Sequence, residues 1–487
     1  MRFLAVDLGT TNLKAALYDE NLRCLGAKSV PVDYDRSNGF VEFDARAYAD
    51  TLIKLIADLL TAHQAADSLV NITLTGQAES LVVLDSAGAP LMNAISWMDE
   101  RSKDECAEIE ARFSAAECYA RSGQPAALPT WPATKILWLK KHRPDVFTKA
   151  AHYVLLKDYI VYALTGNLLA DCSIATFSYY FDIYQRRYWT DMLDFLGVRE
   201  SQLPPLCEPC SNAGALLPEV AAHLGVSESV CVNIGTLDHF AGMIGTGNVR
   251  PGMLSLSTGT VLGLSTMAGD PVKRDTGIPM HYGFLPQTYV MLPTAESGGA
   301  SLEWFQRNFL PSASFRQIDE QAALRRPCDV LFLPYIVGTN APEFDLDACG
   351  MFYGLRSKHD AFDLALAVME GVAHLLKKNC DMILASGTPI ERIIATGGGA
   401  KSALWCQLQA DITGIPVSIP AEKEAACLGA AMIGSVSAGV YADVSEAASA
   451  AVRLEANFAP HADEQNEHKH RQFVALYDAM IRAQRMP

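Results

Sequence analysis

No run of apolar residues in this chain approaches the roughly 18 that a membrane-spanning helix needs, and the first strand-like run, Arg2 to Val6, is too short for a signal peptide. A cytoplasmic protein without a membrane partner is the expectation. Basic residues are also scarce: 39 Lys and Arg stand against 55 Asp and Glu, a formal net charge of -16. That balance disfavours nucleic acid and anionic membrane surfaces, which usually require a basic face. A nucleotide ligand would have to draw its positive potential from backbone N–H groups and a metal. The twelve cysteines are scattered through mostly apolar surroundings, which suits reduced thiols better than a disulfide framework. Cys207 and Cys210 form one Cys-x-x-Cys, but no second such pair or nearby histidine pair completes a zinc site. GxxxxGK[ST] is absent, and GTGNVR and GGGAKS both miss GxGxxG, so neither a P-loop nor a Rossmann dinucleotide site is expected. No segment is of low complexity.

What remains is a chain built to bury surface. Half of its 487 residues are apolar and only 19% are charged, and the length exceeds what one hydrophobic core usually serves, so two domains are expected. The opening residues, RFLAVDLGTTNLKAALYD, read as two strands joined by a Gly-Thr-Thr turn. Further strands are predicted at Leu69 to Thr75 and Leu81 to Asp85, and helices at Ala47 to His63 and Arg101 to Arg112. This is a mixed α/β pattern. GTGNVRPG marks a boundary near residue 248. Beyond it the pattern starts again: a strand at Met253 to Ser257 meets another Gly-Thr turn at Gly259 and Thr260, which suggests an internal duplication. Phe362, Leu366, Met369, Ala373 and Leu376 share one face of a predicted helix over Ala361 to Asn379. Residues 391–420 run strand, glycine-rich turn, helix, strand.

Three turns are candidates for binding phosphate. In Asp7-Leu8-Gly9-Thr10-Thr11 a carboxylate ends a buried strand and a small-residue turn offers N–H groups and hydroxyls, a pattern that can wrap phosphates while Asp7 holds hydrated Mg²⁺. An ordinary hairpin turn is the alternative. Ser257-Thr258-Gly259-Thr260 repeats the arrangement in the other half. Gly397-Gly398-Gly399 could let a ring or ribose lie against backbone, or serve only as a tight packing turn. Asp238 follows an apolar strand, Ser229 to Ile234, and opens a small-residue helix. It can act as the base that orients a hydroxyl nucleophile and takes its proton, or as a helix N-cap. His239, its neighbour, adds little by itself.

Together these residues resemble the FGGY carbohydrate kinases, the family of glycerol kinase, xylulokinase, ribulokinase and gluconokinase. The likeness spans nearly the whole chain. Its most specific stretch is GMFYGLRSKHDAFDLALAVMEG, where Gly350, Phe352, Gly354 and Leu355 are followed after seven residues by Asp363, Leu364, Ala367, Val368, Met369 and Glu370. Pro132, Lys135 and Trp138 match the family's first signature, from which Thr130 departs. The resemblance implies two actin-like, ribonuclease H-like α/β domains around a cleft: residues 1–247 for sugar, first phosphate loop and base, and residues 248–487 for ATP. It implies that Asp7 and Gly9-Thr10-Thr11 meet phosphates and Mg²⁺. It also implies that Gly259 and Thr260 make the second phosphate contact, that Gly398, Gly399 and Ser402 flank the adenosine, and that Asp238 is the catalytic aspartate and a further metal contact.

In this family the segment after the first β-meander reads the sugar, and here it is Gly76-Gln77-Ala78-Glu79. Gln77, Ala78, Glu79, Asp238 and His239 are the expected substrate contacts. The glycine agrees with xylulokinases and the glutamate with glycerol kinases, while Ala78 removes the arginine a glycerol kinase would use. Ser96 to Ser102 and Leu155 to Ala175 resemble ketose kinases more closely. A ketopentose such as D-xylulose is therefore expected, with a glycerol- or erythritol-type polyol or another ketose as the alternative. Two departures bear on the pocket: Gly235-Thr236-Leu237 before Asp238, and Gly338-Thr339-Asn340 in place of Gly-Glu-Arg. A rival from another class is an actin-like ATPase with no sugar substrate. Monomer and homodimer are both open.

Overall fold

The computed structural model describes residues 1–269, 274–341, 343–345 and 347–486. They form two compact units. The first comprises Met1–Val249, Pro279–Val290 and Glu422–Val452, and the second Arg250–Ile278, Met291–Ala421 and Arg453–Pro487. Among the described residues no helix is long and apolar enough to cross a membrane. All twelve cysteines are free.

The first unit is organised by a six-stranded sheet. Its strands are β1 (Arg2–Leu8), β2 (Asn12–Asp19), β3 (Cys24–Pro31), β4 (Leu69–Gly76), β5 (Asn212–Ala215) and β6 (Cys231–Leu237), in the order β5-β6-β4-β1-β2-β3. Phe3, Leu4, Ala5, Val6 and Leu8 are all fully buried. Consecutive apolar residues of this kind mark a strand covered on both faces, as the middle of a mixed α/β sheet requires. The expected hairpin is present, with Asp7 opposite Lys14 across β1 and β2. Asp44 caps the helix Ala45–Ala62 by accepting from the Arg46 and Ala47 N–H groups, and the helix lays Leu52, Leu55, Ile56 and Leu59 on the core. β1, β4 and β6 run parallel and end level: Leu8 pairs with Gly76, and Gly76 with Leu237. In open α/β sheets the crevice at such carboxyl ends is where ligands bind.

The helix Asp238–Gly245 leaves β6 and crosses the helix Ala425–Ser437 at glycines. A Cβ on Gly245 would sit 1.9 Å from the Ala425 carbonyl oxygen, and one on Gly429 1.9 Å from that of Ala241. The strand expected over Ser229 to Ile234 lies further along, because the sheet register carries it to Leu237.

The second unit repeats the plan. β7 (Gly252–Thr258), β8 (Leu262–Met267), β9 (Ile390–Thr396), β10 (Val417–Pro420) and β11 (Leu454–Phe458) lie in the order β8-β7-β9-β10-β11. Pairing reads antiparallel, parallel, parallel, antiparallel. β2-β1-β4-β6-β5 reads the same way. The duplication expected from two Gly-Thr turns is thus a duplication of sheet topology. The helix Ala361–Ala385 is longer than its periodicity predicts, and Ala365 to Leu376 are buried all round rather than on one stripe. The helix Glu464–Gln484 lies against it, with Lys469 paired to Glu370 at 2.8 Å.

Candidate functional site

The level ends of β1, β4 and β6 gather the first unit's chemistry. Asp7 is the penultimate residue of β1, and its Oδ1 is buried with no hydrogen-bond partner. Burial first, and then the charge of Asp238, push its carboxyl up to about 7, while Lys14 across the hairpin works against them. Lys14 Nζ in turn pairs with Glu424 Oε2 at 2.5 Å. Asp238 opens its helix one residue after the cap position, Leu237, which provides no side-chain cap. Its Oδ1 accepts from the His239 N–H at 2.6 Å. The capping alternative is therefore not what places Asp238: β6 delivers it to the same edge as Asp7. His239 is exposed, and its charge bears on the buried His281.

The turn after Asp7 is held from several sides. Gly9 is required sterically, since a Cβ would lie 2.4 Å from the Asn12 carbonyl oxygen. The Tyr34 hydroxyl donates to Thr10 O at 2.9 Å, Gln77 Nε2 to Gly9 O at 3.3 Å, and Trp97 Nε1 to Thr10 Oγ1 at 2.8 Å. Thr11 remains exposed. Fixing a turn this way presents its N–H groups with little reorganisation.

Residues 77–79 adjoin this turn. Gln77 is buried, its Oε1 accepting from Ser80 Oγ at 2.7 Å, so its amide is committed to holding neighbouring loops. Ala78 is buried. Glu79 has a left-handed backbone, φ 68°, which for a non-glycine residue is strained and typical of functional positions. Two groups hold it there: Thr130 Oγ1 donates to Glu79 Oε1 at 3.2 Å, and Lys135 Nζ to the Glu79 carbonyl at 3.1 Å and that of Ser96 at 2.9 Å. Burial above all, with Asp238 adding to it, raises the Glu79 carboxyl against the pull of Lys135 and Thr130. Burial lowers the Lys135 ammonium. Lys135 is thus a strut that joins residue 79 to the Ser96 to Ser102 segment.

In the second unit, Gly259 and Thr260 lie between β7 and β8. Their carbonyls accept from Gly299 N at 2.6 Å, and from Gly298 N at 3.1 Å and Ala300 N at 3.2 Å, which ties the turn to the start of the helix Gly299–Phe309. A Cβ on Gly259 would meet nothing within 4 Å. Gly397 has φ 82°, and a Cβ on Gly399 would reach Thr258 Cβ at 2.7 Å, so these two glycines serve close packing against β7. Gly398 is exposed and under no such constraint. Ser402 caps the helix Ala403–Thr413, its Oγ accepting from the Trp405 N–H at 3.0 Å.

Sequence reasoning singled out the carboxylates and turns but not Lys14, Tyr34, Trp97 or Thr130 as supports. Hairpin register could have placed Lys14 opposite Asp7. The others come from distant segments and leave no local signal.

The profile of the FGGY family of carbohydrate kinases, N-terminal domain, matches residues 2–245, and that of the C-terminal domain residues 252–438. The chain is 29% identical to the xylulose kinase of Bacillus subtilis (strain 168) over 97% of its own length and 95% of that protein's. It is 31% identical to the xylulose kinase of Escherichia coli (strain K12), with 85% of each covered. A crystal structure of a "xyloylose kinase" from Brucella ovis superposes with a TM-score of 0.92 at 29% identity, covering 99% of this chain and 100% of that one.

Proposed function

The chain belongs to the FGGY family of carbohydrate kinases, and from that membership we propose that it transfers the γ-phosphoryl group of ATP to a terminal hydroxyl of a ketopentose, with D-xylulose first among candidates. The observation that carries this reading is that β1 and β6, which flank β4 and end level with it, bring Asp7 and Asp238 to one edge of the sheet, where the charge of Asp238 helps to raise the Asp7 carboxyl.

In the proposed mechanism Asp238 accepts the proton of the sugar hydroxyl as it attacks, and the fixed Gly9-Thr10-Thr11 turn directs N–H groups at the phosphate tail. Gly259 and Thr260 hold the nucleotide's phosphates in the second unit, and Gly398, Gly399 and Ser402 flank its adenosine. Glu79, held by Thr130 and Lys135, accepts hydroxyls of the sugar, with Ala78 and His239 beside it. The donors suit Mg²⁺: Asp7 Oδ1 is buried without a partner, and Asp238 supplies a second carboxylate. Among the described residues no cluster of three or more His, Cys, Asp or Glu could hold a metal alone. Phosphate oxygens and water are therefore the ligands expected to complete the shell. When bound, the ion neutralises charge on the transferring phosphoryl group. Free thiols suit a cytoplasmic site of action.

A second reading, a polyol such as glycerol or erythritol, is favoured by one residue, because Glu79 puts a carboxylate where xylulokinases carry histidine. The test is ADP release by wild type and Asp238→Ala over D-xylulose, D-ribulose, L-ribulose, L-xylulose, glycerol, erythritol and gluconate with ATP and Mg²⁺. Dependence on one ketopentose, lost in the variant, supports the first reading. Preference for a polyol selects the second, and ADP release independent of any sugar defeats both.

A further inference from the structure

β6 leaves its ladder with β4 between Asn233 and Thr236. Gly235 sits there at φ 62°, and a Cβ on it would fall 1.6 Å from the Leu74 carbonyl oxygen, so the irregularity is built in rather than incidental. Two carbonyls in this stretch take partners outside the sheet: Ile234 O accepts from Lys157 Nζ at 2.7 Å and Gly235 O from Cys210 N at 2.8 Å. Lys157 also forms an ion pair with Asp171 at 2.5 Å, both side chains being 0% exposed. Asp171 Oδ1 accepts from the backbone N–H groups of Ser173 at 2.9 Å and Ile174 at 3.3 Å and from the Ser173 hydroxyl. That hydroxyl meets Thr236 Oγ1 at 2.7 Å, and Thr236 O accepts from Thr75 Oγ1 at 2.9 Å. The bulge is therefore gripped at residue 234 by the lysine and at residue 236 by the serine. Asp238 follows two residues later.

We propose that Lys157 and Asp171, acting through Ile234, Ser173 and Thr236, are positioning residues for Asp238, setting the path of the bulge that aims its carboxylate. This rests on the reading of Asp238 as the base. A fully buried ion pair adds little to stability compared with apolar residues of the same volume, since desolvation offsets most of the attraction. Its return here lies in geometry: the grip fixes two points of a strand that has abandoned regular pairing just before the reacting group. It also gives a role to Thr236, where the family usually has glycine, since glycine has no hydroxyl to meet Ser173.

Four variants of the full-length protein test this: Lys157→Met, Lys157→Met/Asp171→Leu, Thr236→Val and Asp238→Asn, each followed by thermal melting and by steady-state kinetics with ATP and the sugar of highest turnover. Lys157→Met leaves a buried charge unpaired and should lose both stability and activity. The double variant removes both charges and should melt above Lys157→Met, though below wild type because the Ser173 and Ile174 N–H groups lose their acceptor, yet keep kcat about 100-fold down with KM for sugar and ATP within about threefold, as expected for a misplaced reacting group. Thr236→Val, which removes one buried hydroxyl, should lower kcat about tenfold while lowering the melt only slightly, as the loss of one hydrogen bond predicts. Wild-type kcat in the double variant or in Thr236→Val overturns the proposal while leaving the base standing if Asp238→Asn is inactive. Full turnover by Asp238→Asn overturns the base and the positioning role with it.

Discussion

The two units share a sheet plan but differ at the equivalent strand ends. In the first unit β1 ends in Asp7, and the next turn requires Gly9 sterically and is held by Tyr34, Gln77 and Trp97. In the second unit β7 carries Ser257 at the same penultimate place, and its turn leaves open space where a Cβ on Gly259 would sit. β6 delivers a carboxylate, Asp238, where β10 ends in Pro420. The same architecture has thus been given acidic chemistry in one copy and a small-residue surface in the other. Function here resides in side chains grafted on strand ends, not in the topology that presents them.

Making the first copy resemble the second should have the largest effect. Asp7→Ser should lower kcat by roughly a thousandfold if the carboxylate holds charge at the phosphoryl group. The melting temperature should stay level or rise, because burial and Asp238 both oppose ionisation of Asp7 in the fold. Turnover within tenfold of wild type, measured as ADP release, would place the chemistry elsewhere. The turn glycines give the next largest contrast. Gly9→Ala forces a Cβ to within 2.4 Å of the Asn12 carbonyl oxygen and should cost about a hundredfold in kcat by displacing the turn. Gly259→Ala meets nothing within 4 Å and should leave the melting temperature unchanged, any effect falling on KM for ATP.

Much of this contrast was legible in the sequence. The opening hairpin, the second Gly-Thr turn and the position of Asp238 at a strand end follow from alternation and from glycine placement, both of which act over a few residues. Asp7 stood out because a carboxylate at the end of a wholly apolar strand demands a reason. The contacts of the supports were not legible, even for Thr130 and Lys135, which lie in a signature motif: Tyr34 and Trp97 reach the first turn, and Thr130 and Lys135 reach Glu79, from segments up to 87 residues away, and only the fold brings them together. Nor could the sequence show the positive φ of Glu79, because strain at a non-glycine residue is imposed by tertiary contacts and leaves no propensity signal. Gly397 and Gly399 illustrate the opposite ambiguity, since packing and ligand approach both call for glycine.

That ambiguity can be resolved by experiment. Gly399→Ala should cost about 1–3 kcal/mol of stability by overpacking against Thr258. Gly398→Ala has only an ordinary contact, 3.7 Å to the Thr258 carbonyl oxygen, and should leave the melt unchanged. If the adenosine lies against Gly398, the same variant raises KM for ATP without altering KM for the sugar. An unchanged KM for ATP would assign the glycine run to packing alone.

Acid supplies the gentlest test, because each unit buries histidine, His281 in the first and His374 and His470 in the second. His281, stacked on Phe177 at 4.3 Å, is lowered to about 3, by burial first and by His239 second. His374 is likewise held well below its ordinary value by burial and by His470. A histidine whose folded pKa is depressed favours the folded state fully above its unfolded value, near 6.5, and loses that contribution as pH falls from there towards the folded value. For His281 the window runs from about 6.5 down to about 3, and at pH 6 the loss is still under about 1 kcal/mol. His281→Gln should therefore flatten the acid side of the stability profile for residues of the first unit, read by hydrogen exchange, while the second unit keeps the slope that His374 gives it. Equal flattening in both units would mean that the two copies unfold as one in acid, and the contrast between them would be confined to their strand ends.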